Sequence, residues 1–314
     1  MRWCDNCQQP WSFAYCGHHR TQRQAQPTPP ASARVSCAMP ATLDNIYQGL
    51  LAALPLSPAH RQALRQRGLV DSEIHRQHYG TLPLKGRAAL AQRIVNWWGA
   101  DVCAQVPGFH RAERNGQRWW TLAGAAGLLI PVRNLDSHIV ALKVRADAPG
   151  DGPKYTTVSS AKHGGPSPGA QVHVPLHEGP TGDTVRLTEG ELKADVTTAL
   201  SGQLTVSIPG VAMWRKALPV LQALRPQRVL LAFDADWRTN SHVAQALGHA
   251  AFALVTGGYV VQVEVWVPAL GKGIDDLLAV QSIALAFGAA VRGQARAWTG
   301  QLRTVAAEEV PPWR

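Results

Sequence analysis

Three groups of carboxylates, far apart in the 314-residue chain, each close a short apolar run. Thr188-Glu189-Gly190-Glu191-Leu192-Lys193-Ala194-Asp195 follows Val185-Arg186-Leu187. Phe233-Asp234-Ala235-Asp236 ends the run Val229-Leu230-Leu231-Ala232, and Gly271-Lys272-Gly273-Ile274-Asp275-Asp276 comes just after Tyr259 to Val267. Carboxylate oxygens suit hard cations such as Mg2+, which is usually held by a few of them together with substrate phosphates. In an extended segment side chains alternate between faces, so Asp234 and Asp236 would share a side. Glu189 precedes a helix start, where the turn through Gly190 aims backbone N–H groups at an anion. Any one cluster alone reads equally well as solvated loop acids, and Asp275 and Asp276 have the position of helix caps. Three of them at strand ends predict a shared cation site.

Sharing requires the strands to deliver their carboxyl ends to one edge. Strand-like runs alternate with helical stretches from Val185 to Leu278, the pattern of an α/β unit with a mostly parallel sheet. Ligands bind at the carboxyl edge of such sheets. A helix ending near Leu200, a strand over Leu204–Ile208, helices over Trp214–Leu224 and His242–Val255, and a β-branched strand over Val260–Val267 complete the unit. Upstream, Leu128–Val132 and Ile139–Val144 read as strands joined by a turn at Asn134–Ser137. Arg133, Lys143, Arg145 and Lys154 fall at their ends or alternate along them. The polar loop Ser159–Gly169, which contains Lys162, connects the two lobes. Leu43 to Trp98 has a helical period, with a start at Ser57-Pro58, a stop at Gly68 and a second helix from about Lys85 to Trp98. Trp97-Trp98 and Trp119-Trp120 read as packing residues.

The net charge of +10 is unevenly spread. Residues 1–180 carry 19 Lys and Arg against 10 Asp and Glu, whereas residues 181–314 carry 12 against 11. A basic front before an acidic site suits a polyanion led past a cation centre, with ordinary solubilising charge as the alternative. No run is long enough for a transmembrane helix and no secretory signal layout opens the chain, which predicts a cytoplasmic protein without membrane partners. Five cysteines, three of them by residue 16, argue against a disulfide framework. Cys4, Cys7, Cys16 and either His18 or His19 offer four ligands for Zn2+, against an incidental Cys/His tail. Residues 21–40 are rich in Gln, Pro and Ala and read as a flexible linker.

Glu189-Gly190, Asp234-x-Asp236 and the late pair Asp275-Asp276 together resemble the TOPRIM domain of bacterial primases, topoisomerases and some nucleases. Ile130-Pro131-Val132-Arg133, Ile139 to Arg145 and Pro153-Lys154-Tyr155 resemble the basic segment that precedes TOPRIM in DnaG-type primases. The wording of Glu189–Ala194 and Gly271–Asp276 is closest to primase-like TOPRIM proteins of plasmids, phages and integrative elements. The resemblance runs from about Leu128 to Val280. It implies an α/β fold, a TOPRIM-type mostly parallel sheet flanked by helices, preceded by a smaller basic α+β subdomain. The expected divisions are a zinc knuckle at 1–20, a linker at 21–40, a helical basic region at 41–127, a primase-like basic subdomain at 128–180, the TOPRIM domain at 181–280, and a C-terminal helix and tail at 281–314.

The activity so implied is that of a nucleotidyltransferase making short primers on single-stranded DNA from nucleoside triphosphates, in replication of a mobile element. Asp234, Asp236, Asp275 and Asp276 would hold Mg2+ or Mn2+, and Glu189, Asp234, Asp236 and Lys154 would form the catalytic set. Arg133, Lys143, Arg145, Lys154 and Lys162 would grip template or incoming triphosphate, since Arg and Lys neutralise phosphate charge. DnaG-type primases carry an N-terminal zinc module, although the Cys4, Cys7, Cys16, His18 spacing departs from theirs. The chain has no helicase P-loop, so unwinding would fall to a separately encoded replicative helicase. A TOPRIM nuclease and a non-catalytic DNA-binding accessory that recruits a helicase stay open beside the primase reading. Lys193 is a cation among the acids, and the resemblance assigns it no role.

Overall fold

The computed structural model describes residues 35–179, 182–287 and 302–306. Cys4, Cys7, Cys16 and His18, the linker up to residue 34 and most of the C-terminal tail lie outside them. Three helices come first: α1 (Pro40–Ala52), α2 (Pro58–Gln66) and α3 (Asp71–Gln77). Ser57 caps α2 by accepting the His60 N–H at 3.2 Å, and Pro58 sits in the first turn, where a missing N–H breaks no bond. Strand β1 (Gly80–Leu82) leads into α4 (Arg87–Trp98) and the short α5 (Ala100–Cys103). Strands β2 (Phe109–Arg114) and β3 (Gln117–Leu122) form a hairpin about Asn115-Gly116, both at positive φ as a two-residue turn of this hand requires.

Strands β4 (Gly127–Arg133), β5 (Ile139–Ala146) and β6 (Tyr155–Thr157) join β1 in an antiparallel sheet ordered β1-β4-β5-β6. The turn between β4 and β5 is held by Asn134, whose Oδ1 accepts the N–H groups of Asp136 (3.1 Å) and His138 (2.9 Å). A second sheet collects β7 (Thr184–Glu189), β8 (Thr205–Ile208), β9 (Arg228–Leu231), β10 (Val260–Val265) and β11 (Arg303–Ala306) in the order β11-β10-β9-β7-β8. Its first four strands pair in parallel, and β11 is antiparallel at the edge. Helices α6 (Glu191–Ser201), α7 (Leu218–Leu224), α8 (Ser241–Thr256) and α9 (Ile274–Phe287) make the crossovers and flanks. The fold is thus α/β with a mostly parallel sheet. No helix among the described residues is long and apolar enough to cross a membrane.

Two expectations need correction. The helix expected over Trp214–Leu224 is a 3-10 run, Val211–Ala217, broken at Met213 (φ −101°) before α7 begins. Pro219 lies in the first turn of α7, and proline cannot serve a helix interior. Of the four tryptophans read as packing, only Trp120 is buried; Trp97, Trp98 and Trp119 are 62%, 38% and 37% exposed.

Apolar burial, the main favourable term in folding, is divided among several clusters. Val185, Leu187, Val229 and Leu231 of the parallel sheet pack with Leu221 of α7 and Leu247, Ala250 and Leu254 of α8. Another cluster joins Leu64 of α2 and Ile74 of α3 to Leu128 and Ile130 of β4 and to Leu192 and Val196 of α6. That seam binds the antiparallel sheet to the parallel one.

A buried polar knot lies beside the seam. Asp195 accepts the Tyr79 hydroxyl at 2.7 Å and meets His173 Nε2 at 2.9 Å, while His173 Nδ1 accepts the Arg133 N–H at 3.0 Å. The imidazole therefore carries its proton on Nε2, towards Asp195. A second buried polar contact crosses the central strand β9. Arg186 of β7 donates through Nε and Nη2 to the two carboxylate oxygens of Glu264 in β10, at 2.6 and 3.0 Å.

Candidate active site

Parallel pairing puts Glu189, at the end of β7, on the same sheet edge as the turn that follows β9. Gly190 takes φ +87° and lets the chain turn directly from β7 into α6. The Asp234-Ala235-Asp236 turn is fastened on two sides. Thr188 Oγ1 donates to the Ala232 carbonyl at 2.8 Å, and the Ala235 N–H donates to the Lys272 carbonyl at 2.9 Å. The second bond locks the Asp-x-Asp turn to the Gly-Lys-Gly loop, which the Trp266 indole N–H also holds, through the Gly271 carbonyl at 2.9 Å. α9 starts from that loop and carries Asp275 and Asp276 into the same place.

The result is a cavity of about 710 Å³ on which all three acidic clusters converge. Six carboxylates line it: Glu189, Glu191, Asp234, Asp236, Asp275 and Asp276. Five cationic groups from both lobes face them: Arg67, Lys143, Lys154, Lys193 and Lys272. The charges nearly balance, and most are paired. Lys143 Nζ reaches both oxygens of Glu191, at 2.6 and 2.7 Å. Arg67, at the carboxyl end of α2, meets Asp275 Oδ2 at 2.7 Å. Lys193 pairs with Asp234 Oδ1, and Lys272 reaches Asp234 Oδ2 at 3.3 Å and Asp236 Oδ2 at 3.5 Å.

The acids differ in what surrounds them. Burial raises the Glu189 carboxyl above its ordinary range, aided by the nearby charge of Asp234 and opposed by Lys193. Asp275 is likewise raised, first by burial and then by Asp276. Asp276 acts as a cap, accepting the Gly273 N–H at 3.2 Å. Lys272 is held above its ordinary value by its bond to Asp234.

The basic residues named from sequence divide. Lys143 and Lys154 line the cavity. Arg133 does not; it is 2% exposed, and its Nη2 donates to the Gln77 carbonyl at 3.1 Å. Arg145, on β5 opposite Tyr155, and the exposed Lys162 also lie outside the lining. Arg67, Lys272, Asn240 and His242 line the site without having been named for it. Lys272 has a local signal, a lysine between two glycines beside an acidic pair. Arg67 has none, being 208 positions from its partner.

No group of three His, Cys, Asp or Glu side chains among the described residues is gathered tightly enough to hold a metal as it stands. Asp236 Oδ1, however, is buried and meets no hydrogen-bond donor among the described residues. Buried oxygens are ordinarily satisfied, and one left open on a carboxylate whose Oδ2 lies 3.5 Å from the Lys272 ammonium suits a hard cation. The residues present fit such an ion between Asp234 and Asp236.

Comparison with known proteins bears on the fold. A family model described as a domain of unknown function, DUF3854, matches residues 182–284, which hold β7 to β10 and all three acidic clusters. No curated protein matches the chain. Several solved structures are similar. The zinc-binding and RNA polymerase domains of the Aquifex aeolicus primase are 12% identical, with a TM-score of 0.56 over 85% of this chain and 63% of that one. This chain thus spans less than two thirds of that structure. A DnaG primase catalytic domain bound to ssDNA is 17% identical, with a TM-score of 0.56 over 84% of this chain and 80% of that one. The RNA polymerase domain of Mycobacterium tuberculosis primase DnaG, in complex with a double-stranded DNA oligomer with a 6-nucleotide overhang, is 16% identical, with a TM-score of 0.56 over 87% and 83%. At these identities the likeness is one of fold. The chain has the α/β arrangement of bacterial primase catalytic cores.

Proposed function

We propose that the protein is a primase-like nucleotidyltransferase of a plasmid, phage or integrative element, extending short primers on single-stranded DNA from nucleoside triphosphates. The observation that carries the reading is the convergence of Glu189, Asp234, Asp236 and Asp275 with Lys143 and Lys154 on one cavity of a primase-core fold. The TOPRIM label for residues 181–280, with a basic subdomain at 128–180, belongs to the same proposal. Mg2+ or Mn2+, when bound, would neutralise charge developing on the transferred phosphoryl group. Asp234 and Asp236 would hold it. Lys154, exposed at the cavity rim, would meet the triphosphate or template strand, and Lys143 would exchange Glu191 for phosphate. Glu189, half-buried and with its carboxyl raised by burial, would act as a proton carrier near the reacting oxygen. A separately encoded helicase would open the duplex. Zn2+ at Cys4, Cys7, Cys16 and His18 is a separate proposal, checked by metal content before and after Cys4→Ser.

The test is incorporation of labelled nucleotides on single-stranded DNA with Mg2+ or Mn2+, run beside a strand-cleavage assay. Primer synthesis abolished by Asp234→Asn supports the reading. Cleavage abolished by the same change assigns a nuclease. DNA binding with neither activity assigns an accessory.

A further inference from the structure

We infer that Lys193 is a resident counter-cation of the acidic site, filling one cation position itself and leaving a single exchangeable position, between Asp234 and Asp236, where Lys272 stands guard. The inference rests on the metal-dependent reading above and deepens it, because it fixes how many divalent ions the site takes.

The two lysines contact the same carboxylate from different environments. The Lys193 side chain is 16% exposed and rises from the first turns of α6 straight into the cluster. Its ammonium pairs with Asp234 Oδ1, and its charge also acts on Glu189 and Asp275, so it serves all three clusters at once. Room for it is made on the facing loop. A Cβ on Gly273 would collide first with Asp275 Oδ1 and would stand 2.9 Å from Lys193 Cε and 3.3 Å from Nζ, so a larger residue there would displace both side chains. An ammonium held this way cannot withdraw without leaving Asp234, itself 8% exposed, with only the long contact from Lys272 to balance its charge.

Lys272 is the opposite case. Its side chain is 68% exposed, and its contacts to Asp234 Oδ2 and Asp236 Oδ2 are long, at 3.3 and 3.5 Å. It leaves Asp236 Oδ1 unsatisfied. A divalent ion between Asp234 and Asp236 would use that oxygen and release the Lys272 ammonium, on an open stem, to face an incoming phosphate. Lys193 is therefore a positioning residue that sets cation stoichiometry, and Lys272 is a placeholder.

Mn2+ titration of the full-length protein without nucleotide, followed by the electron paramagnetic resonance signal of free Mn2+, reads this directly. Mn2+ favours carboxylate over thiolate, so the N-terminal cysteines do not compete for it. The expected result is one Mn2+ per chain for the parent, lost in Asp236→Asn, and two per chain for Lys193→Met. Lys272→Met should keep one ion and bind it about tenfold more tightly, since a competing charge is gone. Lys193→Arg should keep the parental count. Thermal melts check that each variant is folded, and Lys193→Gln replaces Lys193→Met should the latter fail to fold. Equal counts for parent and Lys193→Met, or two ions in the parent, would overturn the inference while leaving the metal-dependent reading intact. No Mn2+ in any variant would overturn both.

Discussion

Asp195 belongs to the acidic motif by sequence, yet its replacement should damage the fold and not the chemistry. It is 1% exposed and accepts from two buried donors, the Tyr79 hydroxyl and the Nε2–H of His173. Asp195→Ala leaves both without an acceptor. A buried donor so stranded costs about 1–3 kcal/mol, so the pair sets a loss of about 2–6 kcal/mol. For a chain of this size each kcal/mol lowers Tm by about 2–4 °C, which puts the expected drop near 8–16 °C for a mid-range loss of about 4 kcal/mol. Asp195→Asn should lose about half as much. The amide oxygen can take the His173 N–H, whose tautomer is fixed by the Arg133 N–H on Nδ1, and the amide nitrogen can then face the Tyr79 oxygen. Denaturant and thermal unfolding followed by circular dichroism measure both variants. Mn2+ binding at low temperature, where the variants are still folded, should be unchanged, because Asp195 is not on the cavity wall. An Asp195→Ala protein within about 1 kcal/mol of its parent, or an asparagine variant no better than the alanine one, would refute the reasoning.

Other expectations follow the same logic. Glu189→Gln should raise Tm at neutral pH in metal-free buffer. Burial raises the Glu189 carboxyl, so its favourable contribution is full below the unfolded value and is lost as pH climbs through the folded one; the gain over parent should therefore vanish in acid, as a Tm-against-pH series will show. Glu264→Ala strands the Arg186 guanidinium, which is 5% exposed, and should cost about 3–5 kcal/mol by denaturant titration. Lys154→Ala should weaken binding to labelled single-stranded DNA and lower its salt slope by about 1, while Asp234→Asn leaves affinity equal or higher.

What could be read from the sequence was local. Acids after short apolar runs announced strand ends, and a shared edge followed from the α/β alternation. Ser57-Pro58 and the Asn134 turn carried their own hydrogen-bond logic. Asn115-Gly116 carries a signal of the same kind, a tight turn between two short runs, and the hairpin there was not expected. Partners distant in sequence were not readable. Arg133 has the motif position of a phosphate-binding residue, but whether its side chain points to the cavity or to the Gln77 carbonyl depends on where α3 ends. Lys193 and Asp275 are close in space only because α6 and α9 start at the same sheet edge. The exposure of Trp97 likewise depends on what α4 packs against, and no property of the residue itself reports that.

The antiparallel strand β11 has a practical consequence. Residues 303–306 cover the outer side of β10, pairing from Gln262↔Ala306 to Val265↔Arg303. The stretch matched by the DUF3854 model stops at residue 284, well short of them. A fragment trimmed to that stretch would bare the backbone N–H and C=O groups of Val260–Val265, a β-branched ribbon with no proline. Bare edges of this kind recruit strands from other molecules. Such a fragment would self-associate through its sheet, and a synthetic peptide spanning 302–306, supplied in trans, would act as its plug.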